Sequence, residues 1–243
     1  MRPRTPRNKP GQSATAKYNE LTRTWQRRSR RKLVLLGAAL LLLALLANAL
    51  VAVLHLSLWF GGVVTGVLAG FFTAAACSPP AWIDNWQDGA LGEKRTGEQL
   101  APSAKEGWRI LHDLPAEHGN IDHIVVGPGG VFLLDSKRWH GQVTIEADTA
   151  IIRRLEDPAL SYRYDGAGHV RSLAHQVHKR LREQTHARVW VTPVIIIWGE
   201  FPEQVSGERC TFVHGDVLAG WLRSQPQRVA PSRIDQLVAA LTG

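Results

Sequence analysis

The sequence predicts a mixed α/β fold: a mixed sheet flanked by helices, preceded by a two-helix apolar hairpin near the amino terminus. Three observations carry this reading. Residues 33–83 contain no Asp, Glu, Lys or Arg. A series of short β-type segments follows, then a stretch of helical periodicity. The nearly continuous apolar run from Val189 to Trp198 comes next, as expected of a central strand covered on both faces. Helix, several strands, helix, buried strand and closing helices describe a sheet with helices packed against it.

The chain begins with a basic tail, residues 1–32, holding eleven Lys or Arg against Glu20 alone. The rest of the chain has 18 basic and 20 acidic residues, so the formal net charge of +8 resides in the tail. Overall charge is therefore no argument that the downstream domain binds nucleic acid. The tail itself has two readings, an anchor to anionic lipid or an arm that tethers DNA. Its composition predicts disorder over residues 1–20. The two cysteines, Cys77 and Cys210, exclude a disulfide framework and a Cys-based zinc site.

Residues 33–78 are long enough for two membrane crossings at about 20 residues each. The spans are placed near 33–54 and 58–76, with His55, Leu56 and Ser57 at the reversal. A single long tilted helix is the alternative. A signal peptide has an apolar region of only about 7–15 residues. Ala74-Ala-Ala-Cys77 lacks the Leu that a lipoprotein cleavage site carries three residues before its Cys. Arg27-Arg28-Ser29-Arg30-Arg31-Lys32 abuts the first span, which predicts a cytoplasmic amino terminus. Two crossings then return residues 81–243 to the cytoplasm, giving a multi-pass protein of the cell membrane with the lipid bilayer as a partner. Gly62, Gly66 and Gly70 share one face of the second span. Such a stripe suits close helix–helix packing, against the first span or in an oligomer.

Residues 79–89 read as a linker and 90–243 as the soluble domain. A helix is expected over 90–106, ended by Gly107. Strands are expected at 108–113, 120–126, 131–137, 141–147 and 150–154. Residues 169–186 suit a helix, with Val170, Leu173, Val177 and Leu181 at three- and four-residue steps. Helices near 215–224 and 231–242 close the chain.

Within this domain, two apolar strands flank Gly127-Pro128-Gly129-Gly130, a turn set by proline and permissive glycines. If Val126 pairs with Val131, Asp122 stands directly across from Asp135, and Lys137 shares the face of Asp135. Opposed like charges repel, and among Ile124, Val126, Val131 and Leu133 they would be poorly solvated. The plainer reading places both carboxylates at a wet edge, with Lys137 as an ion-pair partner. The sharper one places a divalent cation between them. Mg²⁺, or Mn²⁺, suits oxygen ligands and keeps exchangeable waters, polarises a phosphoryl oxygen and acidifies bound water. Lys137 could then orient the attacking water or stabilise charge on phosphorus.

Several motifs then fall in one order: Gly89-Ala-Leu-Gly-Glu93, Thr96 and Leu100; Gly107-Trp-Arg-Ile-Leu-His-Asp113; Asn120-Ile-Asp-His123; Gly127-Pro-Gly-Gly-Val-Phe132; and Asp135-Ser-Lys137. This order resembles the NERD (nuclease-related) domain, similar to the PD-(D/E)xK restriction-endonuclease-like nucleases, over roughly residues 86–200. Pro193-Val-Ile-Ile-Ile-Trp-Gly199 resembles a later core strand of that family. The resemblance implies a restriction-endonuclease-like sheet and a catalytic set of Glu93, Asp122, Asp135 and Lys137. Glu93, Asp122 and Asp135 are the implied metal ligands. The position before x-Lys is filled by Asp135.

The resulting expectation is a membrane-anchored nuclease cleaving phosphodiesters of DNA, or else of RNA. A nonenzymatic module binding nucleic acid or protein at the membrane is the alternative. Arg138, just past the Lys137 strand, and Gln176, on the following helix, are the candidate nucleic-acid contacts. His175 and His178 share a helical face without a third ligand nearby, Glu98 reads as a solvated charge on the helix surface, and His123 reads as structural.

Overall fold

The computed structural model describes residues 9–78, 80–117, 119–154 and 160–243. They form two compact units. One is Ala16–Trp86, and the other joins the amino-terminal residues up to Thr15 with Gln87–Gly243.

Helix α1 runs from Gln12 to Val53 and α2 from Leu58 to Cys77. Both contain an apolar stretch long enough to cross a membrane by length and composition. The turn between them falls at the predicted reversal, where His55 takes a left-handed φ of 51°. The predicted disorder over residues 1–20 is corrected: residues 1–8 lie outside the described residues, and helix begins at Gln12. From Gln12 to Lys32 there is no Gly or Pro, so a helix seeded by the apolar run meets no breaker. The α1–α2 contact is polar at its centre. Asn48 Nδ2 donates to Thr65 Oγ1 (3.0 Å) and to the Ala44 carbonyl (2.8 Å). Gly61 makes room for Asn48, and Gly37 lies under the Phe72 ring. Nothing stands within 4 Å of where a Cβ would project from Gly62, Gly66 or Gly70. The glycine stripe is therefore not the α1–α2 contact.

Helix α3 spans Ala81–Leu100, so residues 81–89 are helical where a linker was expected. It stops at Leu100 because Pro102 lacks the N–H that a continuing α-helix needs. A 3₁₀ helix fills Ala101–Glu106, and Gly107 ends it at φ 89°. The strands are β1 (Arg109–Pro115), β2 (Asn120–Gly127), β3 (Gly130–Glu146), β4 (Thr149–Arg153), β5 (Ser161–Tyr164), β6 (Val191–Glu200), β7 (Val205–Ser206) and β8 (Thr211–His214). Helix α4 spans Ala167–Thr185, α5 Leu218–Arg223 and α6 Pro231–Thr242.

These strands form one mixed sheet in the order β1-β2-β3-β6-β8-β7, with β4 and β5 continuing from the far end of β3. β1, β2 and β3 are antiparallel, while β3, β6 and β8 are parallel. Parallel β3 and β6 need a crossover, and α4 lies within it. One face of the sheet packs under α4 and α6 through Val131, Leu133, Ile195, Val177 and Leu237. The other face packs under Leu100 and α5 through Phe132, Leu134, Ile196 and Trp198. The two strands expected at 131–137 and 141–147 are one strand, β3, with a bend. Its register against β6 shifts between Arg138 and Gln142. A Cβ on Gly199 would lie 2.6 Å from the Trp139 carbonyl, so only glycine lets the backbones approach there. Beyond the shift, Gln142–Glu146 pairs with β4. The strands β5, β7 and β8 were not anticipated.

Asp148, in the β3–β4 turn with φ 65°, ties the far end of the sheet together. Its carboxylate accepts from the amides of Glu208 (2.9 Å) and Arg209 (3.1 Å) and from Arg171 (2.9 Å). Burial acts to raise the Asp148 pKa, but these amides, that of Cys210 and the Arg171 charge outweigh it and hold it below the usual value. Replacing Asp148 by Ala is expected to cost about 3 kcal/mol, from lost charge-assisted bonds and stranded amides. A depressed carboxylate pKa confers stability that is present above its unfolded value, near 3.9, and lost as pH falls through the lower folded value. Thermal unfolding of wild type and Asp148→Ala should therefore differ at pH 7 and converge at strongly acid pH.

Candidate active site

The β2–β3 hairpin has the predicted register, Val126 opposite Val131 and Ile124 opposite Leu133. The ladder ends at His123 opposite Leu134, one pair short of Asp122 and Asp135. There the Ser136 amide donates to Asp122 Oδ2 at 2.7 Å. β3 stays paired with β6 through Asp135, Ser136 and Lys137. The two carboxylates thus stand where β2 and β3 part, the only part of the hairpin where side chains can diverge from the pleat.

Strand alternation continues the face of Val131 and Leu133 into Asp135 and Lys137, and that face is the one beneath α4. Lys137 Nζ lies 2.9 Å from Asp135 Oδ1 and 2.9 Å from Oδ2. Oδ1 takes the hydrogen bond; Oδ2 is buried and accepts none among the described residues. Lys137 also lies 5.6 Å from the centre of the Tyr164 ring. Burial opposes the Lys137 charge, yet Asp135, Tyr164 and Asp122 outweigh it and raise its pKa, so the ammonium persists. Tyr164 is pushed up to about 12, by burial first and by Asp135 next.

Burial, then the charges of Asp135 and Glu93, raise the pKa of Asp122. Glu93 comes from α3 and is 9% exposed. Its pKa is pushed up to about 7, mainly by burial and the Asp113 charge, against a lowering by the Gly11 amide and Lys137. Asp122, Asp135, Glu93 and Lys137 therefore share one field. Among the described residues, however, no three His, Cys, Asp or Glu side chains are arranged to hold a metal ion. The donor set still fits a divalent cation in its chemistry: the carboxylates repel one another, and Asp135 Oδ2 has an unused lone pair.

A polar network backs the site from the α3 side. Thr96 Oγ1 donates to the Gly92 carbonyl at 3.0 Å and accepts from Trp198 Nε1 at 2.9 Å. Ser136 Oγ lies 2.8 Å from it. Thr96 was legible as a motif position one helical turn past Glu93, but its bond to Ser136 was not. Tyr164 gave no signal, because its strand was not anticipated.

Among the described residues, Arg138 and Gln176 make no hydrogen bond or ion pair with these side chains. Arg138 lies against Gly92 and is ion-paired to Asp88, which also binds His140 Nε2 at 3.1 Å. Gln176 is exposed on α4. His178 donates Nδ1–H to the Val189 carbonyl at 2.7 Å, and His123 is fully buried against His112, with a pKa pushed down to about 3 by burial and by the His112 charge. A cleft of about 620 Å³ opens beside Arg138 and is lined by Arg95, Trp198, His214 and Asp216. Arg95 stacks its guanidinium 5.9 Å from the Trp198 ring centre.

A raised carboxylate pKa makes the folded chain bind protons that the unfolded chain releases. Stability from Glu93 is thus full below its ordinary value near 4.5 and falls as pH rises towards 7. The difference is on the order of 3 kcal/mol. Glu93→Gln is expected to flatten that slope, so thermal unfolding at pH 5 and pH 7.5 should separate wild type from variant chiefly at the higher pH.

No curated protein and no solved structure matches the chain. Residues 88–198 match the family described as NERD, nuclease-related domain. That span runs from the second half of α3 to Trp198 in β6 and includes Glu93, Asp122, Asp135 and Lys137. This part of the chain is a nuclease-related domain.

Proposed function

We propose that the sheet domain is a divalent-metal-dependent phosphodiesterase acting on nucleic acid, DNA before RNA, and carried on a two-helix membrane anchor. The observation that carries the reading is the convergence of Asp122, Asp135 and Lys137 where β2 and β3 part, with Asp135 Oδ2 buried, ion-paired to Lys137 and accepting no hydrogen bond among the described residues. Asp122, Asp135 and Glu93 would hold Mg²⁺ or Mn²⁺, which when bound supplies a polarised phosphoryl oxygen and an activated water. Lys137 keeps a positive charge where negative charge grows on the phosphoryl group. Tyr164 and Asp135 hold that ammonium in place. Arg95, which has no salt-bridge partner among the described residues, offers a phosphate contact at the adjoining cleft. Arg138 is available for that role only if it leaves Asp88.

The anchor reading rests on exposed apolar surface. Only 11% and 6% of the apolar windows of α1 and α2 are buried by protein, and hydrocarbon covers such surface without cost. The basic cluster before the first span supports a cytoplasmic amino terminus, and two crossings return the domain to that side.

Full-length protein incubated with a panel of single- and double-stranded DNA and RNA is expected to cleave only with Mg²⁺ or Mn²⁺. Asp135→Ala and Lys137→Ala should each lower the rate at least ~10²-fold. Equal behaviour of wild type and variants on every substrate would sink the enzyme reading. The second reading is a nonenzymatic binding module, favoured by the absence of a three-ligand cluster among the described residues. Under it the protein retains nucleic acid without cutting, and Arg95→Ala weakens retention with a shallower salt dependence.

A further inference from the structure

Residues 9–15 belong to the same compact unit as the sheet, and they make contacts the nuclease reading leaves unused. Ser13, in the first turn of α1, donates its amide (3.1 Å) and its hydroxyl (2.7 Å) to Asp113 Oδ2. Asn120 Nδ2 donates to Ser13 Oγ at 2.6 Å and to Asp113 Oδ1 at 2.9 Å. Two residues before Ser13, Gly11 packs against Ala90, one turn of α3 ahead of Glu93.

The fit along α3 is close. Gly11 has φ +71°, and a Cβ there would lie 2.7 Å from the Ala90 carbonyl oxygen. A Cβ on Gly97 would lie 2.6 Å from the Pro10 ring. Pro10 and Gly11 thus lie along the turns of α3 that carry Glu93. Glu93 and Asp113 are 9% and 7% exposed. Two carboxylates buried near each other are unfavourable unless donors meet them. The segment brings two donors to Asp113, the Ser13 amide and the Ser13 hydroxyl, and lays Pro10 and Gly11 along the turns of α3 beside Glu93. A solvated basic tail makes no such set of contacts with residues about a hundred positions away.

We propose that Lys9–Ser13 is a strap, fastened on Asp113 and Asn120, that covers Glu93 and must lift before this carboxylate reaches a metal or a substrate. For the role of Glu93 this rests on the nuclease reading above.

The test uses the full chain with Cys77→Ser, Ser13→Cys and Asn120→Cys, reconstituted in detergent. Carboxyl exposure is read by carbodiimide labelling with a soluble amine and peptide mass spectrometry, with exposed Glu98 as the internal control. The two introduced thiols should join on mild oxidation. Labelling of Glu93 should then be about tenfold lower than in Gly97→Ala, whose added methyl displaces Pro10, as expected for a group reached only by local opening. Ser13→Ala, which keeps the helix and loses the fastening hydroxyl, should show the same rise. Failure of the thiols to join overturns the strap, as does equal labelling of Glu93 in the locked, wild-type and released forms. If labelling follows the strap while no nucleic acid is cut, the strap stands and the nuclease reading falls. Cleavage at one rate in the locked and the reduced protein would overturn the strap's cover of a working site.

Discussion

Like charges cannot be buried side by side in the middle of a sheet, where each side chain is fixed by the pleat and water is absent. They can stand together only where the sheet opens, and the fold provides one such place along β3. Up to Leu134 that strand is held on one side by β2, and through Arg138 on the other by β6. Beyond the register shift Gln142 still meets Glu200 of β6, and Gln142–Glu146 pairs with β4. Asp135 and Lys137 fall in the short interval where β3 has lost β2 and still keeps β6. The Ser136 amide, freed from the ladder, binds Asp122. The glycine at 199 and the Thr96–Ser136–Trp198 network serve the same interval, one permitting the bend and the other bracing it from behind.

Beyond the tail, basic and acidic residues nearly balance in number, and several cations near the sheet are committed to carboxylates. Lys137 is committed to Asp135, Arg138 to Asp88, and Arg171 to Asp148. The sheet domain is not a broadly basic surface, and the charge that gives the chain its pI of about 10.0 lies ahead of the first apolar span. Attraction of a polyanion to such a domain depends on a few placed groups rather than on a general field. Charge count and site chemistry are therefore independent lines of argument here, and the site must stand on its geometry.

Much of the fold was legible because it rests on local rules. The register of the hairpin, Val126 opposite Val131, followed from a glycine-proline turn between alternating apolar residues, and the central strand followed from a continuous apolar run. α6 begins and ends where its Pro and terminal residues predict. What was not legible depended on contacts distant in sequence. β3 reads as two strands because Gly141 interrupts its pattern, and only the approach of Trp139 to Gly199 reveals one bent strand. β5, β7 and β8 are two to four residues long and too short to carry a period. Asp122, Asp135 and Lys137 could be placed together from spacing alone. Glu93 required the family resemblance, since nothing local brings a helix residue to a hairpin. The partners of Arg138, and the burial of Glu93 beside Asp113, are tertiary facts with no local signature.

One consequence follows from the continuity of α1. Its 42 residues, at 1.5 Å each, make a rod of about 63 Å, roughly twice the hydrocarbon thickness of a bilayer. No Gly or Pro divides its basic portion from its first apolar turns, so the helix passes from one to the other without a breaker. Ser13 is held by hydrogen bonds whose strength depends on direction. The first turn of this long helix is therefore oriented by Asp113 and Asn120 as well as by its own backbone.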